Sequence, residues 1–405
     1  MVEKLTTVSD AWWDAIKGPQ YERVGDNYRV TFWWRDPAGS EYSSPVCRVW
    51  IYITGVTDHH HNSAPQTLER IPDTDVWRWT TTLPSTWRGS YCFAPSVRDD
   101  DFSPELFTAA EPDRQQLREG WRKLLPKAIS DPLNPQSWKG GRGHAVSALE
   151  MPQAPEQPGW SDPATAWPEP QCITWRSERL GNQRRVWIFT TGDVNETDRP
   201  LAVLLDGQFW AESMPVWPAL TSLTTAKKLP PAVYLLIDVI DNAHRSVELP
   251  CNADFWLAVQ QELLPQVQAI APFSSRADRT IVAGQSFGGL SALYAGLHWP
   301  ERFGSVLSQS GSYWWPHRGG QQTGEIVQQL ESGELNPQGL RIVLEAGIRE
   351  PIIFRANQAL LAQLQRTQQP IFWHQVDGGH DALCWRGGLT AGLITLWNPQ
   401  TATRD

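Results

Sequence analysis

From Cys172 onward the chain alternates short, apolar, β-branched runs with amphipathic stretches, and this alternation constrains the fold more than any other feature. Strands are expected at 186–191, 201–206, 232–238, 279–283, 304–308, 340–346 and 370–376. Helical segments are expected at 252–270, 287–297, 325–331 and 357–364, with 388–397 closing the pattern. Apolar strands separated by helices pack as a mostly parallel sheet covered on both faces. In the first helical segment Phe255, Trp256, Val259, Leu263, Val267 and Ile270 follow a helical period, and Pro265 is expected to kink it.

The preceding part follows a different pattern. The runs 29–35, 47–54, 76–80 and 89–93 are rich in β-branched and aromatic residues, and Asp36-Pro37, Asn62-Ser63 and Pro72-Asp73 punctuate them. Such spacing, followed by one helix-like stretch at 113–125, predicts an all-β, immunoglobulin-like sandwich. Residues 152–170 carry six prolines and no period, as a semi-extended linker does. The expected organisation is therefore a β-sandwich over 1–150, a Pro-rich linker over 151–171 and an α/β domain over 172–405.

Composition narrows the function classes. A net charge of −9 argues against bulk neutralisation of nucleic-acid phosphates. No run of 18 apolar residues occurs, so no membrane span is expected. The stretch Met1–Lys17 has no apolar core of a signal peptide, and the five scattered cysteines include no CxxC pair; both suit a cytoplasmic location. Tryptophan is unusual: its 23 residues exceed the 12 Phe and 8 Tyr together, which suggests large cores or an aromatic-lined site.

The chemistry concentrates at Gly284-Gln-Ser286-Phe-Gly288, a G-x-S-x-G pentapeptide where an expected strand meets an expected helix. A tight turn there lifts the serine hydroxyl clear of the sheet, and a Cβ at Gly284 or Gly288 is expected to crowd it. The helix beginning at Phe287 directs free N–H groups toward the nucleophile. A serine needs a base oriented by an acid, in the chain order Ser, acid, His. His380, in Gly378-Gly-His-Asp381 after the last strand, is the expected base, with Asp381 structural. Two acids end the preceding strand, Glu345 and Glu350; Glu350 is preferred because it lies past the strand end on a turn. For the oxyanion, the N–H of Phe287 and the loop Asp206-Gly207-Gln208-Phe209 supply donors, with Gly207 allowing close approach.

The elbow, the Asp206-Gly207 turn, Asp241-Asn-Ala-His-Arg245 and Gly378-Gly-His380-Asp381 resemble the esterase-D-type α/β-hydrolases. Val30-Thr-Phe-Trp-Trp-Arg-Asp36, Tyr52-Ile-Thr-Gly-Val-Thr-Asp58 and Asp131-Pro-Leu-Asn-Pro-Gln-Ser-Trp138 extend the likeness, so the chain is similar end to end to the enterochelin (enterobactin) esterases. The resemblance implies a serine esterase that opens the triserine lactone of enterobactin to dihydroxybenzoylserine so that iron can be released. The alternatives are an esterase for another aromatic ester, such as a feruloyl ester, and an inactive siderophore-binding protein. A ferric tris-catecholate is a bulky trianion, so cations and rings should gather near the catalytic loops. Arg245, Arg318 and Arg386, with Trp210, Trp314, Trp315 and Trp385, are the candidates. No protein-bound cofactor or metal is expected, since iron arrives with the substrate. Asp58-His59-His60-His61 lacks chelating spacing and reads as a polar turn.

Overall fold

The computed structural model describes residues 9–60, 64–97, 102, 113–140, 143–161, 169–193, 195–317 and 323–398. By packing, the chain divides into two units, Met1–Pro155 with Asp377–Cys384, and Glu156–Val376 with Trp385–Asp405. The segment Asp377–Cys384 therefore packs with the N-terminal unit although it follows the last strand of the other.

The N-terminal unit is β-rich. Its strands are β1 (Gln20–Val24), β2 (Asn27–Arg35), β3 (Arg48–Ile53), β4 (Gln66–Arg70), β5 (Val76–Pro84), β6 (Arg88–Ser96), β7 (Ser137–Lys139) and β8 (Ala145–Glu150). They pair antiparallel in the order β1-β2-β5-β4-β3-β6-β8-β7. β4 joins the two halves, pairing with β3 over Gln66–Leu68 and with β5 at Glu69 and Arg70. Alternate residues of both halves, among them Val30, Phe32, Val49, Ile51, Trp77, Tyr91 and Phe93, share one core. Strands β3 and β6 bury their other face as well: Trp50, Tyr52, Cys92 and Ala94 pack under Leu117, Trp121 and Leu124 of α1 (Arg114–Leu124). Burial on both faces explains why Val49–Ile53 is apolar without alternation.

The second unit holds β9 (Gln171–Ser177), β10 (Asn182–Thr190), β11 (Leu201–Leu204), β12 (Val233–Ile237), β13 (Thr280–Gln285), β14 (Ser305–Gln309), β15 (Arg341–Gly347) and β16 (Ile371–Val376). Their order is β16-β15-β14-β13-β11-β12-β10-β9, with β11 to β16 paired in parallel and β9 and β10 antiparallel. Helices α2 (Asn242–Glu248), α3 (Phe287–His298), α4 (Pro351–Leu364) and α5 (Ala382–Trp397) carry or flank the loops at the strands' C-terminal ends. The helical stretch around Pro265 does not simply kink. It passes through a wider π turn, Val259–Leu263, where Leu264 N–H bonds Val259 O before the helix resumes. Proline lacks an N–H and clashes with the carbonyl four residues back, and one wide turn relieves both faults. α4 begins six residues earlier than expected because Pro351 opens it at the first turn, where a missing N–H costs nothing.

Candidate active site

Ser286 stands between β13 and α3 with φ 59° and ψ −121°, a left-handed conformation that strains a residue with a Cβ by about 1–3 kcal/mol. Backbone bonds hold it there: Ser286 N–H donates to Gln309 O (3.0 Å), while Leu290 and Ser312 N–H both donate to Ser286 O (3.1 Å each). Of the two motif glycines only Gly284 is sterically required. A Cβ there would lie 2.3 Å from Gly288 C and O, whereas one on Gly288 would meet Asp206 Oδ2 and Leu205 at ordinary distances of 3.4 and 3.5 Å. The expected crowding at Gly288 is thus corrected: its backbone, not its missing side chain, fills the turn. Gly289 matters more, since a Cβ would fall 2.7 Å from Ser308 Oγ and 3.0 Å from Gly311 Cα. The Ser286 hydroxyl lies 3.3 Å from that of Ser312.

Both candidate acids are buried. Glu350, fully enclosed, accepts from the Ser310 hydroxyl and from Gly347 N–H (2.9 Å). Burial pushes its carboxyl up to about 8, although the two donors pull it down. Glu345 is pushed up to about 7, again by burial, with the Gln309 amide pulling it down and the charge of Glu350 adding to the rise. Its oxygen accepts from Gln309 Nε2 at 2.8 Å, and Gly388 of α5 sits so close that a Cβ would clash with the carboxylate. Gln309 Oε1 accepts from Gln285 Nε2 (2.9 Å), and Gln285 Oε1 accepts from Trp210 Nε1 (3.1 Å). Glu345 therefore ends a buried chain of amides beneath the elbow.

The loop after β11 begins with Asp206 at φ 52°. Arg245 of α2 clasps it in a two-pronged pair, Nε to Oδ1 at 2.7 Å and Nη2 to Oδ2 at 2.9 Å, and lies 5.7 Å from the Phe287 ring. Arg245 is thus tied to the turn while its side chain stays 21% exposed. A Cβ on Gly207 would fall 2.4 Å from Ile237 N, so only glycine allows this loop to cross β12 so closely. Gln208 braces it through Oε1, which accepts from Val239 N–H at 3.2 Å. Trp210 is corrected: 1% exposed and bonded to Gln285, it is core and no platform for a ring.

Among the remaining candidates, Trp314 is half-buried with its ring 5.8 Å from that of Phe287, and Trp315 packs partly against the main core. The Trp385 indole donates to Ser310 Oγ at 2.9 Å, and its carbonyl accepts from Gln309. Arg386 lies over Trp160, 5.3 Å from the ring centre, and donates to Gln157 Oε1. Arg318 and His61 lie outside the described residues. His380 belongs to the N-terminal unit, where its ring lies 5.4 Å from that of His60, and Asp381 accepts from Ser90 N–H at 2.6 Å. Ser310, Ser312, Gln309 and His60 escaped sequence reasoning. The alternating Ser308-Gln-Ser-Gly-Ser312 at the end of β14 was the signal for the first three. Among the described residues no group of three or more His, Cys, Asp or Glu is arranged to hold a metal ion. No described helix is long and apolar enough to cross a membrane.

Residues 29–160 match the family model for the N-terminal domain of enterochelin esterase, and residues 177–396 match that of the putative esterases. The chain is 70% identical over 396 residues, 98% of each sequence, to the iron(III) enterobactin esterase of Escherichia coli strain K12. The chain belongs to the enterobactin esterase family. The crystal structure of a ferric enterobactin esterase from Salmonella typhimurium matches at TM-score 0.93 and 68% identity, covering 98% of this chain and 100% of that one. That of an enterobactin esterase from Shigella flexneri, determined in the presence of enterobactin, matches at TM-score 0.91 and 69% identity with the same coverage. As a member of this family the chain is a carboxylic ester hydrolase with an α/β-hydrolase-like esterase domain and a β-rich N-terminal domain.

Proposed function

We propose that this chain hydrolyses the ester bonds of the enterobactin trilactone, ferric or iron-free, to dihydroxybenzoylserine. One observation carries the reading: a strained serine elbow in a chain 70% identical, end to end, to an iron(III) enterobactin esterase. Ser286 Oγ attacks a lactone carbonyl while His380 takes its proton, and Glu350 holds the imidazole in the required tautomer. The tetrahedral oxyanion is held by Phe287 N–H. The Gly207–Gln208 amides complete the hole, since Phe209 N–H is already committed to Asp206 O at 3.0 Å. Collapse breaks the C–O bond, and the imidazolium protonates the departing serine oxygen. Water, deprotonated by the same imidazole, then attacks the acyl-enzyme and frees Ser286.

Iron enters as part of the substrate, and no cofactor takes part in these steps. With Trp210 buried, the catecholates are read as meeting Arg245, Arg386, Trp385, Trp314, Trp315 and Arg318. The same reading places the protein in the cytoplasm and makes residues 1–150 an immunoglobulin-like sandwich joined by 151–171 to the catalytic domain 172–405. A feruloyl ester or mere siderophore binding is not favoured, because the likeness to enterobactin esterases spans both domains. In Ser286→Ala, release of dihydroxybenzoylserine followed by chromatography should fall at least ~10³-fold. Unchanged release refutes the serine mechanism.

A further inference from the structure

The loop Asp377–Cys384 leaves β16 and returns at the start of α5, and its Gly378-Gly379 pair gives it little stiffness of its own. A general base must nevertheless be held within about 0.5 Å of its working position. Several fixings lie within the N-terminal unit. Asp381, 4% exposed, accepts from Ser90 N–H at 2.6 Å and from Leu383 N–H at 2.9 Å. Gly379 lies so close to Gly55 that a Cβ would fall 2.6 Å from its nitrogen. The His60 ring lies 5.4 Å from that of His380, tilted by 40°.

Gly55 and His60 are themselves tied by one carboxylate. Asp58, 2% exposed, accepts from Gly55 N–H through Oδ2 (3.0 Å) and from His60 N–H through Oδ1 (3.2 Å). His59 Nδ1 and Tyr52 Oη, 2.8 Å apart, anchor the same turn to β3. Residues 55–60, whose Asp58-His59-His60 run lacks chelating spacing, thus present one backbone contact and one ring to the loop of the base.

We propose that the N-terminal unit sets the position of His380, with His60 and Asp381 as positioning residues and Asp58 as the tie that orders them. The proposal rests on the reading of His380 as base. Neither His60 nor Asp381 exchanges a proton with substrate; both limit where the imidazole points. Misplacing a reacting group by about 1 Å costs about 100-fold in rate, and this loss falls on kcat rather than on binding.

The test uses the full-length protein with enterobactin, together with labelling of Ser286 by a fluorophosphonate, whose fluoride the serine displaces only when a base assists. His60→Ala should lower kcat and the labelling rate together, by about tenfold or more, with KM within about twofold. His60→Phe, which restores a packed ring, should recover most of the loss. Asp381→Asn, which keeps one acceptor oxygen but not two, should lower kcat in the same way. If Asp381→Asn does not fold, the His60→Ala and His60→Phe pair decides. The proposal is overturned if His60→Ala and Asp381→Asn both fold and keep parental kcat while His380→Ala is inactive. It is also overturned if His60→Ala raises KM alone, which would make His60 a substrate contact. Parental activity in His380→Ala would instead refute the base assignment itself.

Discussion

The two glycines of the elbow motif should respond to the same substitution with opposite results. In Gly284→Ala the new Cβ lies 2.3 Å from both C and O of Gly288, well inside contact distance, and the obstacle is backbone on either side. No rotamer change relieves it, so the strand end or the start of α3 must shift. Overpacking of this kind costs about 1–3 kcal/mol. For a domain of this size each kcal/mol lowers the melting midpoint by about 2–4 °C, so a fall of about 2–12 °C is expected. The displaced turn also carries Ser286, so kcat should fall with stability. In Gly288→Ala the nearest atoms are 3.4 and 3.5 Å away, and the position is helical. Replacing a helical glycine by alanine contributes about 0.5–1 kcal/mol, so this variant should melt at or above the parent. Calorimetry of both variants, with turnover of enterobactin, checks the pair. A Gly284→Ala protein as stable as the parent, or a Gly288→Ala protein less stable than Gly284→Ala, refutes the steric reading.

Three further outcomes follow from the site. Glu350 has its carboxyl raised from 4.5 to about 8, so the folded state holds a proton that the unfolded chain releases. Its stabilisation is full below about pH 4.5 and is lost as pH rises toward 8. Denaturant midpoints of the parent should accordingly fall between pH 5 and 8, and Glu350→Gln should reduce that fall to the share of Glu345; identical pH slopes refute a raised carboxyl at position 350. Trp210→Phe leaves Gln285 Oε1 without its indole donor, at a cost of about 1–3 kcal/mol, and urea titration should show this with KM unchanged. Arg245→Lys keeps the charge but loses the two-pronged clasp on Asp206, so stability should fall by about 1–2 kcal/mol and kcat with it; a rise in KM alone would mark Arg245 as a substrate contact only.

What the sequence disclosed follows from how local each feature is. The elbow was legible because five consecutive residues specify it. The central strands were legible because burial on both faces leaves an apolar run, as in Val233–Ile237. β1 was not, for Gln20–Val24 is exposed throughout and carries no apolar pattern. The partners of Arg245 and Trp210 were hidden because a side chain beside a catalytic motif looks the same in sequence whether it faces a ligand or an internal acceptor. Gly55 and His60 lie hundreds of residues from the loop they touch, and spacing has no bearing on such contacts.

The choice between the two acids shows what register adds. Parallel pairing aligns Gln285 with Gln309, Gln309 with Glu345, and Glu345 with His374, one rung across four strands. Three segments of unrelated sequence thereby bring polar side chains to one level beneath Ser286, where the buried amides join into a chain that ends on Glu345. The Glu345 carboxyl is enclosed in that rung, with Gly388 closed over it. Glu350 lies beyond the last rung, after the chain has left β15, and is gripped by Ser310, which also receives the Trp385 indole as the chain re-enters from the loop of His380. Both acids thus reach Trp385 through one bridging residue, Glu350 through Ser310 and Glu345 through Gln309. What separates them is place: Glu345 stands inside β15 and Glu350 past its end, on the turn that opens α4, and on that ground Glu350 is proposed as the acid.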